Sequence, residues 1–258
     1  MLSPSRYAID PQQPHCQWWL AVASPQISYN RQEFDYLLPE LKRQVEDVGD
    51  WEKSFVEWWG ISTRREWHEM IHRLAMGEVH GDIWRNEFGR RACMTGKEWE
   101  ERTNAVKSEV ARAEMRYLDA TYRHVGKSGF LAWDYSRAGF LARAGLCLGK
   151  VTQEECAFLL NFLSKRIRLQ FVGWSEYLHS FIFGRNYWDY IHDEDDDLVN
   201  VPYLLNDGFH VSFSRFFESI ENDKDCPVHW LDWAEPLPDL DAPESLQAIL
   251  NEEQERES

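Results

Sequence analysis

The sequence predicts a mainly α-helical protein: a single compact multi-helix domain with room for one or two short strands, an irregular N-terminal arm and an acidic C-terminal tail. Three helix-start boxes support this, because Thr63, Thr95 and Thr152 each precede a glutamate by three positions. In such a box the hydroxyl and the carboxylate satisfy free backbone amides of the first helical turn. Apolar residues also recur at steps of three and four, whereas no long segment alternates with period two.

Prolines and charge set the predicted limits of the domain. Five of the ten prolines fall within the first 39 residues, which indicates irregular structure around one short apolar element at 18–23. We assign residues 1–15 to the arm, 16–233 to the single helical domain and 234–258 to a proline-rich and then acidic tail. We expect this tail either to be disordered or to fold only at its SLQAIL segment.

The individual helices follow from boundary signals and apolar spacing. In chain order, helices are predicted over 40–48, ending before Gly49; from the Thr63 box to Met76, stopping at Gly77; from the Thr95 box to near Gly126; over 129–149; from the Thr152 box onward; over 173–191; and around 214–220. The aromatic segment at 51–61 is expected to anchor a corner between helices. The runs VPYLL (201–205) and FHVSF (209–213) are the candidate short strands.

Composition excludes several functional classes. The formal net charge of −16 makes the chain a poor binder of nucleic acid, because phosphates would be repelled. The five widely spaced cysteines include no C-x-x-C pair, which argues against a disulfide framework and fits a reducing compartment. No segment is apolar over the length of a membrane span. We therefore expect a cytoplasmic protein that binds neither nucleic acid nor membrane and has no cofactor.

Residues 66–77, EWHEMIHRLAMG, contain the zinc-hydrolase pattern H-E-x-x-H. In that pattern His68 and His72 share one helix face and bind zinc, while Glu69 polarises the metal-bound water. An extended motif would require glycine at Ala75 and histidine at Glu78, and the candidates left for a third ligand are His80 and Glu87. The apolar face is formed by Trp67, Met70, Ile71 and Leu74. This arrangement predicts that His68 and Glu69 point largely outward, so we expect no metal and keep zinc as the alternative.

Charged side chains on otherwise apolar helix faces form the second candidate site. Asp134 and Arg137 are three residues apart in an apolar segment. Arg185 also lies on an apolar helix face, two helices later. Burying such charges singly would cost several kcal/mol, so they need partners. We predict a shared network bracketed by Trp133, Trp174 and Trp188. In the structural interpretation, this network only fixes the register of the helices. In the functional interpretation, its arginines bind a phosphate or carboxylate ligand.

The segments AWDYSRAGFLARAG, VTQEE and GWSEYLHSFIFGRNYW, preceded by LAVASPQ and WWGISTRREW, resemble the core of a bacterial family of unknown function, the YbeU/YbeR-like proteins (DUF1266). The resemblance spans roughly residues 17–190. It implies an all-helical cytoplasmic domain and carries no catalytic residues over. The matching positions are Trp133, Asp134, Arg137, Trp174, Gly184, Arg185 and Trp188.

Two functions from different classes fit these observations. The first is a non-catalytic bacterial protein that binds a protein partner, basic in charge, through an acidic surface, in a toxin-neutralising or accessory role. The alternative is a zinc-dependent hydrolase that uses His68, Glu69 and His72. The sequence contains no G-x-S-x-G elbow, no P-loop and no dinucleotide-binding glycine pattern, so it carries no motif of these enzyme classes.

Overall fold

The computed structural model describes residues 7–32, 34, 48–192 and 207–257. Within these ranges every regular element is a helix and no strand occurs, so the predicted mainly α fold class is confirmed. The α-helices are α1 (Pro14–Ala21), α2 (Ser24–Asn30), α3 (Val48–Trp59), α4 (Arg64–Met76), α5 (Arg85–Ala92), α6 (Gly96–Ala105), α7 (Glu109–Val125), α8 (Leu131–Cys147), α9 (Gln153–Gln170), α10 (Trp174–His192), α11 (Asp207–Asn222) and α12 (Glu244–Glu257). Short 3-10 helices occupy Gly126–Ser128 and Pro227–His229.

Tertiary contacts divide the chain into two units, each assembled from separate segments. Unit 1 comprises Met1–Met76, Tyr135–Leu169 and Asp223–Ser258, and unit 2 comprises Gly77–Asp134 and Gln170–Asn222. The predicted limits of a single domain at 16–233 stay a prediction.

The core of unit 1 is built around tryptophan, as the composition suggests. Trp18, Trp19 and Trp67 are almost completely buried, and Phe55 of α3 packs on Trp67 with ring centroids 4.8 Å apart. Large rings contribute much of the buried apolar area that stabilises a core of this size. In this unit α12 packs against α4, and α1 packs against the 3-10 helix Pro227–His229.

The core of unit 2 forms where α7 packs against α10. Tyr117 of α7 is buried and donates a hydrogen bond of 2.8 Å to the carbonyl oxygen of Phe183 on α10. Gly129 adopts φ of +54°, and a Cβ there would lie only 2.7 Å from the ring of Phe88. The turn before α8 therefore needs glycine for both its backbone conformation and its close packing.

The predicted helix boundaries are confirmed where local signals are complete. The amide of Glu66 donates to the hydroxyl of Thr63, and the carboxylate of Glu66 accepts from the amide of Thr63. The helix that this box opens ends at Met76, followed by Gly77 with φ of +80°. Positive φ after a helix favours glycine, which explains the stop at that position. The helix predicted over 129–149 is found as α8.

Three local predictions are wrong. The single helix expected between Thr95 and Gly126 is two helices, α6 and α7, because Val106 is extended and Ser108 caps a new first turn. The FHVSF run is part of α11 and not a strand. The irregular N-terminal region contains two short helices, α1 and α2, instead of one apolar element.

Other predictions fall partly outside the described residues. The helix proposed over 40–48 lies there except for its last residue, but its expected end before Gly49 is wrong because α3 runs through that glycine. The VPYLL segment also lies outside the described residues. In the tail, the SLQAIL segment is helical as predicted, and α12 continues beyond it to Glu257.

None of the five cysteines, which all lie in the described ranges, takes part in a disulfide, in agreement with the prediction of no disulfide framework. Burial raises the pKa of the Cys156 thiol to about 12, so this side chain is a neutral core residue. Within the described ranges, the helices fall short of the length and apolar character that crossing a bilayer requires.

Candidate functional site

Glu155 is the centre of a buried polar cluster in unit 1. Its carboxylate accepts a hydrogen bond of 2.7 Å from the amide of Thr152, and its own amide donates to the hydroxyl of Thr152 at 3.3 Å. This is the third capping box predicted from the sequence. The side chain is only 1% exposed, however, so this box is buried where the one at Thr63 is open to solvent.

Three further groups converge on the same carboxylate from distant parts of unit 1. The guanidinium of Arg64 at the start of α4 and the hydroxyl of Ser245 in α12 both donate to Oε1 of Glu155. The ring atom Nε2 of His68 lies 3.3 Å from Oε2. Burial raises the pKa of Glu155, but the hydrogen bonds from Ser245 and Thr152 and the charges of His68 and Arg64 outweigh it and hold the pKa below its ordinary value.

The prediction that His68 points outward is wrong. His68 is 4% exposed and faces Glu155, in a geometry that falls short of a hydrogen bond. Met70, assigned to the apolar face, is only half-buried, and Ala75 occupies the core instead. The physical reason is that α9 supplies a buried carboxylate opposite the histidine. Burial lowers the pKa of His68, and the opposing effect of Glu155 does not overcome it.

The remaining members of the H-E-x-x-H pattern separate into different surroundings. The carboxylate of Glu69 accepts a hydrogen bond of 2.5 Å from Nε of Arg65 at the surface. His72 is half-buried and lines a small apolar pocket with Leu246 and Leu250 of α12. Over the described part of the chain, no three His, Cys, Asp or Glu side chains lie close enough to hold a metal ion.

An open cleft of about 360 Å³ lies beside the Glu155 cluster. Its lining residues come from α4 and α12: Arg64, Arg65, His68, Ser245, Ala248 and Ile249. The cations of this cleft already bind carboxylates, because Arg64 pairs with Glu155 and Arg65 with Glu69. The cluster therefore secures α12 against α4 and α9 electrostatically.

Asp134 holds a turn within unit 2. It is completely buried, and its carboxylate accepts backbone amide hydrogen bonds from Val79, His80 and Gly81 at 2.8 to 3.2 Å. A Cβ on Gly81 would lie 3.2 Å from Oδ2 of Asp134, so glycine permits the close approach. Three amide donors compensate the cost of burying the charge.

The other residues of the predicted network have the following contacts. Arg185 bonds to Asp189 one turn further along α10, and the guanidinium of Arg137 lies 5.6 Å from the ring centroid of Trp59. The rings of Trp133 and Trp188 are 5.8 Å apart, so the structure brings these two together. Trp174 packs instead on Tyr177. The shared ion network among Asp134, Arg137 and Arg185 stays a prediction.

Gly184, in the G-R-x-x-W element, lies at a close approach of two helices in unit 2. A Cβ at this position would lie 2.8 Å from Cβ of Trp133 and 3.0 Å from Cβ of Phe130. The two motifs that the sequence singled out, W-D-x-x-R and G-R-x-x-W, thus meet through a glycine contact.

Sequence reasoning missed two buried charged residues. Arg143 is 1% exposed in α8, and Glu155 is 1% exposed in α9. The signal for Arg143 was an arginine inside a helix that is apolar on several faces. For Glu155 the sequence showed the capping box, but it did not show that the carboxylate of this box is buried.

An acidic stretch of unit 1 precedes α12. Residues 223–244, here called the acidic segment, contain seven Asp or Glu and one Lys. Trp230, in the middle of the segment, is 55% exposed. The backbone is held by the core: the indole of Trp18 donates to the carbonyl of Asp232 at 3.2 Å and the amide of Asn161 to that of Pro238 at 2.9 Å.

These features define a class: an α-helical, tryptophan-rich protein whose buried carboxylates organise turns and helix ends. The model of the family described as "Protein of unknown function (DUF1266)" matches residues 54–233, and the chain belongs to this family. The match begins after the LAVASPQ element of the predicted resemblance and continues beyond residue 190.

Two relatives from Escherichia coli strain K12 agree with this assignment. The uncharacterized protein YbeR is 28% identical over 191 residues, which cover 73% of this chain and 79% of the relative. The uncharacterized protein YbeU is 25% identical over 191 residues, covering 74% of this chain and 80% of the relative. No solved structure matches the chain significantly.

Proposed function

We propose that this chain is a non-catalytic, cytoplasmic bacterial protein that binds a basic protein partner through its acidic segment. The observation that carries the proposal is an exposed tryptophan set among carboxylates. Trp230 is 55% exposed, and Asp225 and Asp232 nearby in the chain are also exposed. Exposed aromatic side chains supply binding energy at interfaces, and surrounding charges guide the encounter.

Charge favours a basic partner. The acidic segment has seven carboxylates against one lysine, within a chain of net charge −16. A field of one sign attracts partners of the opposite sign and speeds association, more so at low salt. Nucleic acid is repelled by the same field, so the partner class is a protein.

The segment is held in place before any partner arrives. Its backbone carbonyls accept hydrogen bonds from Trp18, Asn161 and Arg168, the last at 2.7 Å to the carbonyl of Glu235. Leu231, next to Trp230, is buried at 8% exposure. A surface that is already ordered loses less conformational entropy on binding, which increases affinity. A toxin-neutralising or an accessory role is compatible with such a surface.

The proposal is tested by capture of partners from a lysate of a bacterium that encodes the chain, with purified variants as bait. Trp230→Ala and Asp225→Lys are the test variants. Trp58→Ala is the matched control for loss of an exposed indole, since Trp58 is 67% exposed on α3. Glu100→Lys, exposed on α6, is the control for the charge change.

We expect a partner that both test variants lose and both controls keep, and whose dissociation constant, measured with the purified pair, rises with salt. Equal capture by wild-type protein and both test variants would contradict the proposal. A partner that is lost only in the control variants would place the interface elsewhere and would also contradict it.

A further inference from the structure

Glu114 in unit 2 is a half-buried carboxylate that lacks a cationic partner among the described residues. It lies on α7, and the described contact of its Oε1 is a hydrogen bond of 3.2 Å from the hydroxyl of Tyr187 on α10. Two other half-buried acidic residues of this unit do have cationic partners, because Glu87 pairs with Arg102 and Asp119 with Arg91. No cation among the described residues therefore balances the charge of the Glu114 carboxylate.

Three aromatic side chains accompany this carboxylate. The ring of Tyr187 lies 5.8 Å from that of Tyr190 and 6.3 Å from that of Trp84, the latter edge to face at 83°. Trp84 has φ of +64°, a left-handed conformation that is strained for a bulky residue. Such strain persists where surrounding structure enforces it, and it is common at binding sites. Here it places the indole edge to face with the ring of Tyr187.

The hydroxyl of Tyr190 is an independent observation that points to a ligand-binding role. The residue is 5% exposed, and its buried hydroxyl has no hydrogen-bond partner in the part of the chain that the structure describes. Buried hydroxyls are normally paired, because leaving one unpaired costs its lost hydration. A donor from a bound ligand would satisfy the hydroxyl oxygen.

The pKa shifts of Glu114 and Tyr190 agree with a bound cation at this place. Burial raises the pKa of Glu114, and the hydrogen bond from Tyr187 only partly opposes it. Burial followed by the charge of Glu114 raises the pKa of Tyr190, which means that the hydroxyl lies within the field of the carboxylate. A cation at this position would favour the ionised form of Glu114.

We propose that Glu114, Trp84, Tyr187 and Tyr190 form a binding site for an alkylammonium group, supplied either by a small organic amine or by a lysine side chain. The carboxylate pairs with the positive charge, the hydroxyl of Tyr190 accepts an N–H, and the aromatic faces attract the cation. The site is formed by residues of unit 2 and shares no residue with the acidic segment of unit 1, so the two proposals are tested independently.

Calorimetric titration of the full chain with n-butylammonium chloride tests the site, and n-butanol and sodium chloride serve as ligand controls. A second titration uses Nα-acetyl-lysine methylamide. We expect millimolar binding of the amine and none of the alcohol. Equal affinity for both amines indicates a site open to small amines, and clearly tighter binding of the lysine derivative indicates a lysine side chain as the natural ligand.

Two variants test the roles of the side chains. Glu114→Gln should weaken amine binding about tenfold or more, because it removes the charge while keeping a hydrogen-bond acceptor. Tyr190→Phe should weaken binding several-fold without lowering the melting temperature, because it removes a hydroxyl that is unpaired in the free protein. Glu109→Gln, in the exposed first turn of the same helix, is the matched control and should bind as the wild-type protein does.

Binding should also weaken as pH falls, because burial raises the pKa of Glu114 above its ordinary value and protonation removes the charge that pairs with the amine. The proposal is overturned if n-butanol binds as well as n-butylammonium, or if Tyr190→Phe and a folded Glu114→Gln protein both bind the amine with wild-type affinity. Absence of amine binding to the wild-type chain overturns it as well.

Discussion

Nε2 of His68 lies 3.3 Å from Oε2 of Glu155, and both side chains are almost completely buried. The contact joins α4 to α9, two helices far apart in the sequence. The same carboxylate also binds Arg64 and Ser245, so one buried acid connects three helices of unit 1. Such a cluster makes helix docking depend on ionisation, which leads to the first two predictions.

Glu155→Ala should lower the free energy of unfolding by about 2–4 kcal/mol, because it leaves a buried imidazole and an arginine without their carboxylate and removes a capping group. Urea unfolding followed by circular dichroism measures the change. Glu154→Ala, at the exposed neighbouring position, should change it by less than about 0.5 kcal/mol. Equal effects of the two substitutions would show that the cluster adds no stability.

Stability should fall as pH falls from about 7 to 5, in part because of His68. Its pKa in the folded protein is below the ordinary 6.5, so below that pH the unfolded chain takes up a proton that the folded chain does not. Glu155 and Arg64 face the imidazole. The pKa of Glu155 is also lowered, so its contribution is lost only further down, below about its ordinary 4.5.

The measurement is the free energy of unfolding of wild-type and His68→Gln proteins at several pH values. The variant should show a shallower decline between pH 7 and 5. His229→Gln, at an exposed position, should keep the wild-type slope. A His68→Gln slope as steep as that of the wild type would rule out this histidine as the source.

Gly184→Ala should destabilise the protein by about 1–3 kcal/mol, because the new Cβ would overlap Trp133 and Phe130. Gly89→Ala in α5 provides the matched comparison: it is also a helical glycine, but no other group lies within 4 Å of its added Cβ. That substitution should stabilise by up to about 1 kcal/mol through helix propensity. Thermal unfolding distinguishes the two, and the same sign for both would contradict the close approach of α8 and α10.

Asp134→Ala should lower the free energy of unfolding by about 2–4 kcal/mol, because three backbone amides of the 79–81 turn lose their acceptor in a buried place. Hydrogen exchange of these amides should accelerate more than that of the α7 core. Asp82→Ala, exposed in the same turn, is the control. If exchange at 79–81 is unchanged, the carboxylate does not hold the turn.

Purified protein should contain zinc well below one equivalent, because His68 faces Glu155 and Glu69 faces Arg65 rather than a shared metal position. Elemental analysis after dialysis against zinc-containing buffer measures this directly. His72→Ala serves as the comparison. Stoichiometric zinc that disappears in His72→Ala would instead support the hydrolase alternative.

Local structure was largely predictable from the sequence. The three capping boxes and the helix end at Gly77 depend on hydrogen bonds and backbone angles within a few residues. The residue types that produce them are adjacent in the sequence, so they can be recognised there. Errors occurred where a signal was short: Ser108 starts a new helix with its hydroxyl alone, and the FHVSF run is too short to distinguish strand from helix by spacing.

The candidate sites were less predictable because their partners are distant in the chain. Asp134 was recognised as a buried charge, but the amides that bind it come from residues 79–81. Glu114 and Tyr190 carry no motif, and only their proximity to Tyr187 and Trp84 distinguishes them.

The helical class, the starts of α4, α6 and α9, and membership of the family through the W-D-x-x-R and G-R-x-x-W elements can be read from the amino-acid sequence. The direction in which His68 faces cannot, because it depends on tertiary packing. Helical periodicity fixes the direction in which a side chain leaves the helix axis. Whether that side chain is buried depends on which other element covers this face of the helix. For His68 the covering group is the carboxylate of Glu155, which comes from a helix far away in the sequence.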